Sequence, residues 1–178
     1  PEPKERFLFF FSPPLTLTSS LDFMIMMPLG HYLMPDFNIS PRQFSFLVAA
    51  YTIRASISGF CAAFFADGFD RKKILLYAYF GFLCATIACG FAPTYIFLLV
   101  ARLVAGLFGG LIGAQVISIV ADIFVYERRG RAIGAVMSAF AIASTIGIPF
   151  ALYLSYLLSW HATFIFIGCL CFFLIPFL

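Results

Sequence analysis

The stretch A-F-F-A-D-G-F-D-R-K-K, residues 63–73, decides how the chain is read. Two acids and three bases stand within it, and it joins two long apolar runs. Charges held in a tight turn between membrane-length segments have to lie in water at one face of a bilayer, because an ionised group in hydrocarbon is expensive. The stretch is therefore a topological anchor, with a membrane-crossing segment on either side of it.

Composition points the same way. Of 178 residues, 63% are hydrophobic and 11% charged, against roughly 45–50% and 25% in an average soluble domain. Mean hydropathy is +1.03. The net charge is only +3, and no basic run interleaves with aromatics, so the partner implied is the lipid bilayer and not nucleic acid. Cys61, Cys84, Cys89, Cys169 and Cys171 all fall inside apolar runs, odd in number and without C-x-x-C spacing. They read as packing residues, and neither disulfides, a metal site nor a cofactor is expected. Lys4 and Arg6 precede an apolar run far longer than the roughly 7–15 residues of a signal-peptide core, so a cleavable leader is not expected.

Outward from the anchor, six apolar runs can be marked, at 12–35, 44–66, 74–92, 95–120, 131–157 and 160–178. Each is near or above the roughly 18–20 residues that cross the hydrocarbon as a helix. Strand alternation is absent, so helices are left to satisfy the backbone in lipid. The expected fold is an all-α membrane protein of six transmembrane helices. Lys4, Arg6, Arg71, Lys72, Lys73, Arg128, Arg129 and Arg131 fall on one face, and Arg42 alone on the other. Positive residues collect on the inner side, so the N-terminus and the loops at 67–73 and 121–131 are expected to be cytoplasmic.

Charges remain inside the runs. Asp22 lies in the first, followed by Pro28 and Gly30; Arg54 lies in the second and Arg102 in the fourth. Each is expensive alone, and Asp22 and Arg102 would stabilise each other if they met, which the sequence permits without showing. Met26, Arg54 and Gln115 are candidates to line a cavity. The fourth run carries Gly106, Gly109, Gly110 and Gly113, small residues that let helix backbones approach. In the fifth, Gly147-Ile148-Pro149 marks a bend or gate. Ser40-Pro41 reads as a helix start, with Ser as cap and Pro in the first turn. Trp160 and His161 belong at the outer interface.

These features in this order resemble the N-terminal half of a major facilitator superfamily transporter, in the drug and sugar efflux branch of proton antiporters that includes arabinose-efflux-like permeases. The anchor resembles that family's motif A, G-x-x-x-D-R-x-G-R-[KR]. Asp67, Arg71, Lys72 and Lys73 match it, while Ala63, Gly68 and Asp70 depart from it. Arg102 with Gly106, Gly109 and Gly113 is similar to motif B. The segment A-S-T-I-G-I-P-F-A, residues 143–151, is similar to the antiporter motif C in shifted form.

The resemblance implies one half, a 3+3 inverted repeat, of a fold that alternates access around a midplane site. It implies that Asp22 and Arg102 couple protons to a small-molecule substrate. A nearby arginine favours the carboxylate and loss of water disfavours it, so separating the two would let Asp22 take a proton. Asp67, Arg71, Lys72 and Asp122 would form a conformational latch, with Arg71 on Asp122 and Asp67 at a helix N-terminus of the other half. Gly147 and Pro149 would be the hinge. The partner would be a second six-helix half or a second copy of the chain, in a bacterial inner membrane. An enzyme is not expected, since no Ser/His/Asp set or paired carboxylates lie within the spans. A transport-incompetent six-helix scaffold or partner subunit is the alternative from another class.

Overall fold

The computed structural model describes residues 3–65, 70–124 and 126–177. Its helices follow in order: α1 (Pro3–Phe37), α2 (Pro41–Phe65), α3 (Arg71–Gly90), α4 (Tyr95–Ile123), α5 (Tyr126–Ile142), α6 (Ile148–Leu157) and α7 (Trp160–Leu174). A π turn, Ala143–Gly147, joins α5 to α6, and a 3-10 turn, Ile175–Phe177, follows α7. Because α5, the π turn and α6 make one continuous rod over Tyr126–Leu157, the described chain is six rods.

Four rods are long and apolar enough to cross a membrane: Pro41–Ala62, Arg71–Gly90, Tyr95–Ile123 and Tyr126–Leu157. α1 has the length, at 35 residues, but Thr16, Thr18, Ser19, Ser20, Asp22, Pro28 and His31 dilute its apolar run. α7 has the apolarity but only 15 residues, which as a helix reaches about 22 Å, short of a core of roughly 30 Å. Most of the helices also outrun the apolar runs that mark them, and two do so across the stretch 121–131. α4 continues to Ile123 and so contains Asp122, and the following rod begins at Tyr126, placing Arg128, Arg129 and Arg131 on its first turns. The arginine-bearing loop is thus shorter than its charges suggest. Arg129 Nε donates to the Phe124 carbonyl at 3.0 Å, closing the corner.

Helix starts are set by short polar side chains. Ser40 Oγ accepts from the Gln43 amide at 3.3 Å, and the Gln43 side-chain oxygen accepts from the Ser40 amide at 2.9 Å. This reciprocal capping box, with Pro41 as the first helical residue, starts α2. Thr94 caps α4 by accepting from Phe97 N–H at 3.3 Å. Asp70 caps α3, its Oδ1 accepting from Lys72 N–H at 3.1 Å, so one departure from motif A has a local structural use.

The core lies where α1, α3, α4 and α7 meet, with Ile25, Leu29, Leu33, Tyr79, Phe82, Leu98, Ile112, Phe164 and Ile167 all fully buried. In lipid the hydrophobic effect does not favour one apolar contact over another, so close packing holds such a bundle together. That packing is tightest between α2 and α4. A side chain at Gly106 would strike the backbone of Tyr51, and one at Gly110 the backbone of Ala55. Gly113, grouped with them by spacing, faces open space.

Candidate functional site

Asp22 of α1 and Arg102 of α4 meet inside the bundle, both with no exposed side-chain surface. Arg102 Nη1 donates to Asp22 Oδ2 at 2.7 Å and to the Asp22 carbonyl oxygen at 3.3 Å. The Tyr51 ring of α2 lies under the guanidinium, with 4.6 Å from Cζ to the ring centre, a cation–π contact that helps hold a desolvated charge. The pair is held through a single guanidinium nitrogen and is not a two-pronged clamp. Asp22 Oδ1 and Arg102 Nε and Nη2 have no hydrogen-bond partner among the described residues. The carboxylate therefore keeps one oxygen uncommitted, the condition for accepting a proton without first dismantling a network.

The helix pattern explains why these two meet. Arg102, Gly106 and Gly109 are spaced i, i+4, i+7 and so share one face of α4. The two glycines leave room for Tyr51, whose hydroxyl a side chain at Gly109 would strike. Tyr51 was not singled out from sequence. The available signal was an arginine on the same stripe as two glycines, which calls for a large, flat neighbour.

At the end of the bundle that carries the anchor, Arg71 Nη1 lies 2.7 Å from Asp122 Oδ2, with side chains 26% and 51% exposed. The contact expected between Arg71 and Asp122 is present. Lys72 gives its backbone amide to the Asp70 cap. Asp67 lies outside the described residues.

Gly147 ends the π turn, and Pro149 is the second residue of α6. Proline has no N–H to donate to the preceding turn, and a π turn is a usual way for a helix to absorb such a defect. A side chain at Gly147 would run into Leu21 of α1, the neighbour of Asp22. The bend expected at Gly147 and Pro149 is thus a change of helical register, packed on α1 at Leu21.

Arg54 and Gln115 share a cavity of about 280 Å³ between α2 and α4, with Ile57, Ser58, Leu107 and Leu111 among its walls. Met26 is elsewhere, fully buried in the core, because its turn of α1 faces the packed interior. Among the described residues, no three His, Cys, Asp or Glu side chains stand close enough to hold a metal ion.

Comparison with known proteins places this geometry in a family. An uncharacterized MFS-type transporter of Bacillus subtilis (strain 168), YceJ, is 24% identical over 143 residues, covering 80% of this chain and 36% of the relative. Multidrug resistance protein 3 of the same organism is 26% identical over 122 residues, covering 68% of this chain and 24% of its own length. The fold matches the crystal structure of a bacterial homologue of the human lysosomal transporter Spinster, in an inward-facing and occupied conformation. The TM-score is 0.83 at 17% identity, over 99% of this chain and 44% of that one. The chain therefore spans between about a quarter and 44% of the length of these proteins. The family model described as Major Facilitator Superfamily matches residues 14–178, and the chain belongs to the Major Facilitator Superfamily.

Proposed function

We propose that the chain is the N-terminal half of a proton-coupled secondary transporter that exports a small molecule across a bacterial inner membrane by alternating access. The observation that carries this reading is the fully buried contact of Asp22 with Arg102. An ion pair out of water is weak evidence for stability alone, because the desolvation of two charges offsets most of their attraction. It is better suited to a switch. With the guanidinium adjacent, Asp22 stays charged; when a rearrangement of α1 against α4 lengthens the contact, the isolated carboxylate binds a proton. The uncommitted Oδ1 is the atom that takes it. The proton leaves when the contact re-forms on the other side of the cycle.

The other elements fit this role. The Arg71–Asp122 pair ties the start of α3 to the end of α4 and would act as part of the latch, together with Lys72 and Asp67. The π turn at Gly147, packed on Leu21, is where the rod could flex without breaking its hydrogen bonds. All six rods would span the membrane, α1 and α7 included, with the N-terminus inside. A second six-helix half would complete the cavity.

The test uses everted membrane vesicles containing the complete protein, with a respiration-driven proton gradient read by a quenched acridine dye. Compounds from a panel of drugs, sugars and organic acids are added in turn. A transported compound draws protons out and restores fluorescence, and Asp22→Asn is expected to abolish that recovery. A full panel without response rejects the transport reading.

A further inference from the structure

The cavity between α2 and α4 has one charged side chain on its wall and is otherwise almost wholly apolar. Arg54, exposed on its helix, is that residue, and among the described residues no carboxylate pairs with it or lines the cavity. Gln115 contributes an amide that is 1% exposed, with its side-chain oxygen lacking any partner among the described residues. A buried amide group left unpaired costs free energy until something hydrogen-bonds to it.

The two polar groups stand at opposite ends. α2 and α4 run in parallel, Gly106 level with Tyr51 and Gly110 level with Ala55, which puts Gln115 level with the turn that holds Cys61 and Ala62. From Arg54 to Cys61 the helix advances about 10 Å at 1.5 Å per residue. Between the ends the walls are Ile57, Leu107 and Leu111, with Ser58, whose hydroxyl is already given to the Ala55 carbonyl.

From this arrangement we infer that the cavity binds a small organic acid. Its carboxylate would meet Arg54, an apolar body about 10 Å long would lie along Ile57 and Leu111, and a hydroxyl or amide would meet Gln115. A cation is repelled by Arg54, and a neutral apolar molecule leaves both polar ends unpaired. That this acid is also the transported substrate rests on the transporter reading above; the binding site itself does not.

Cys61, which lines the cavity and is exposed, reports its occupancy. The complete protein in detergent is reacted with N-ethylmaleimide, and modification of the Cys61 peptide is followed by mass spectrometry. The competitors are ω-hydroxyoctanoate, its amide and its amine analogue, with octanoate and palmitate as further arms. The acid is expected to protect Cys61 at a concentration about tenfold or more below that of the amide, the equivalent of one charge-assisted hydrogen bond. Arg54→Gln should erase that preference and Arg54→Lys retain most of it. Gln115→Leu should weaken ω-hydroxyoctanoate while leaving octanoate, which has no hydroxyl, unchanged.

Equal protection by acid and amide, the result if an acid elsewhere in the protein already neutralises Arg54, overturns the proposal. So does protection by the acid that survives Arg54→Gln undiminished, or a preference for palmitate, which would point to bilayer lipid. The assay needs no gradient and no flux. Loss of proton coupling in vesicles leaves the site standing, and proton-driven flux without protection of Cys61 rejects the site alone.

Discussion

Arg102 is among the largest fully buried side chains of the molecule, and its charge is answered by one carboxylate oxygen of Asp22 at 2.7 Å. Breaking such a pair strands a charge, so Arg102→Ala is expected to cost about 3–5 kcal/mol of stability. Asp22→Asn keeps an oxygen for Nη1 and should be better tolerated. Thermal unfolding of the two variants in detergent checks the order, and equal losses would argue against it. Sequence made both residues conspicuous, since a lone acid and a lone arginine deep in apolar runs each demand an explanation. It could not show that they touch, because they lie 80 positions apart and only the packing of α1 on α4 brings them together. Tyr51 was invisible for the same reason: an aromatic in a run rich in aromatics carries no signal until the guanidinium is seen above it. Met26 is fully buried in the core, and sequence could not show that its face of α1 turns inward, because apolar residues stand on either side of it at 25 and 27.

The elements owe their positions to a few small or capping residues. Gly106 and Gly110 bring α2 against α4, and Gly110→Val would push its side chain into the Ala55 backbone. Overpacking of this kind costs typically 1–3 kcal/mol, about the loss expected here or somewhat more because backbone has to move. Gly113→Ala, facing open space, should be neutral, so the pair of variants tests the contact and not glycine as such. The spacing of these glycines was legible; which of them pack was not, since a stripe names one face of α4 but not the neighbour on it. Asp70 is a second case. Read against motif A it is a departure, yet it accepts the Lys72 amide at 3.1 Å as the cap of α3. Asp70→Ala should cost about 1 kcal/mol, seen as a modest fall in melting temperature with transport little changed. The break in the fifth rod was legible at Gly147 and Pro149. Its form, a π turn packed on Leu21, was not, because hydrogen-bond register depends on how the chain recovers from a missing N–H.

Across the whole molecule, six rods match the six apolar runs, although on length and apolarity four qualify as spans. The ends of rods were read least well. Charged residues at 122–131 suggested a loop, whereas helix continues through most of them, since arginines at a membrane edge can extend into water without unwinding the backbone. The Arg71–Asp122 pair crosses the anchor end of the bundle in a partly exposed setting. Such pairs contribute about 0–1 kcal/mol, so Asp122→Asn is expected to leave melting nearly unchanged while slowing transport severalfold. A large stability loss with normal transport would make the pair a structural tie and not a latch.

The most direct test of the account is proton movement through the complete protein with Asp22 altered. In everted vesicles, a compound that restores the quenched dye in the parent protein should restore nothing with Asp22→Asn, and part of the signal should return with Asp22→Glu. Dye recovery at the parent rate in Asp22→Asn would contradict the claim that this carboxylate carries the coupled proton.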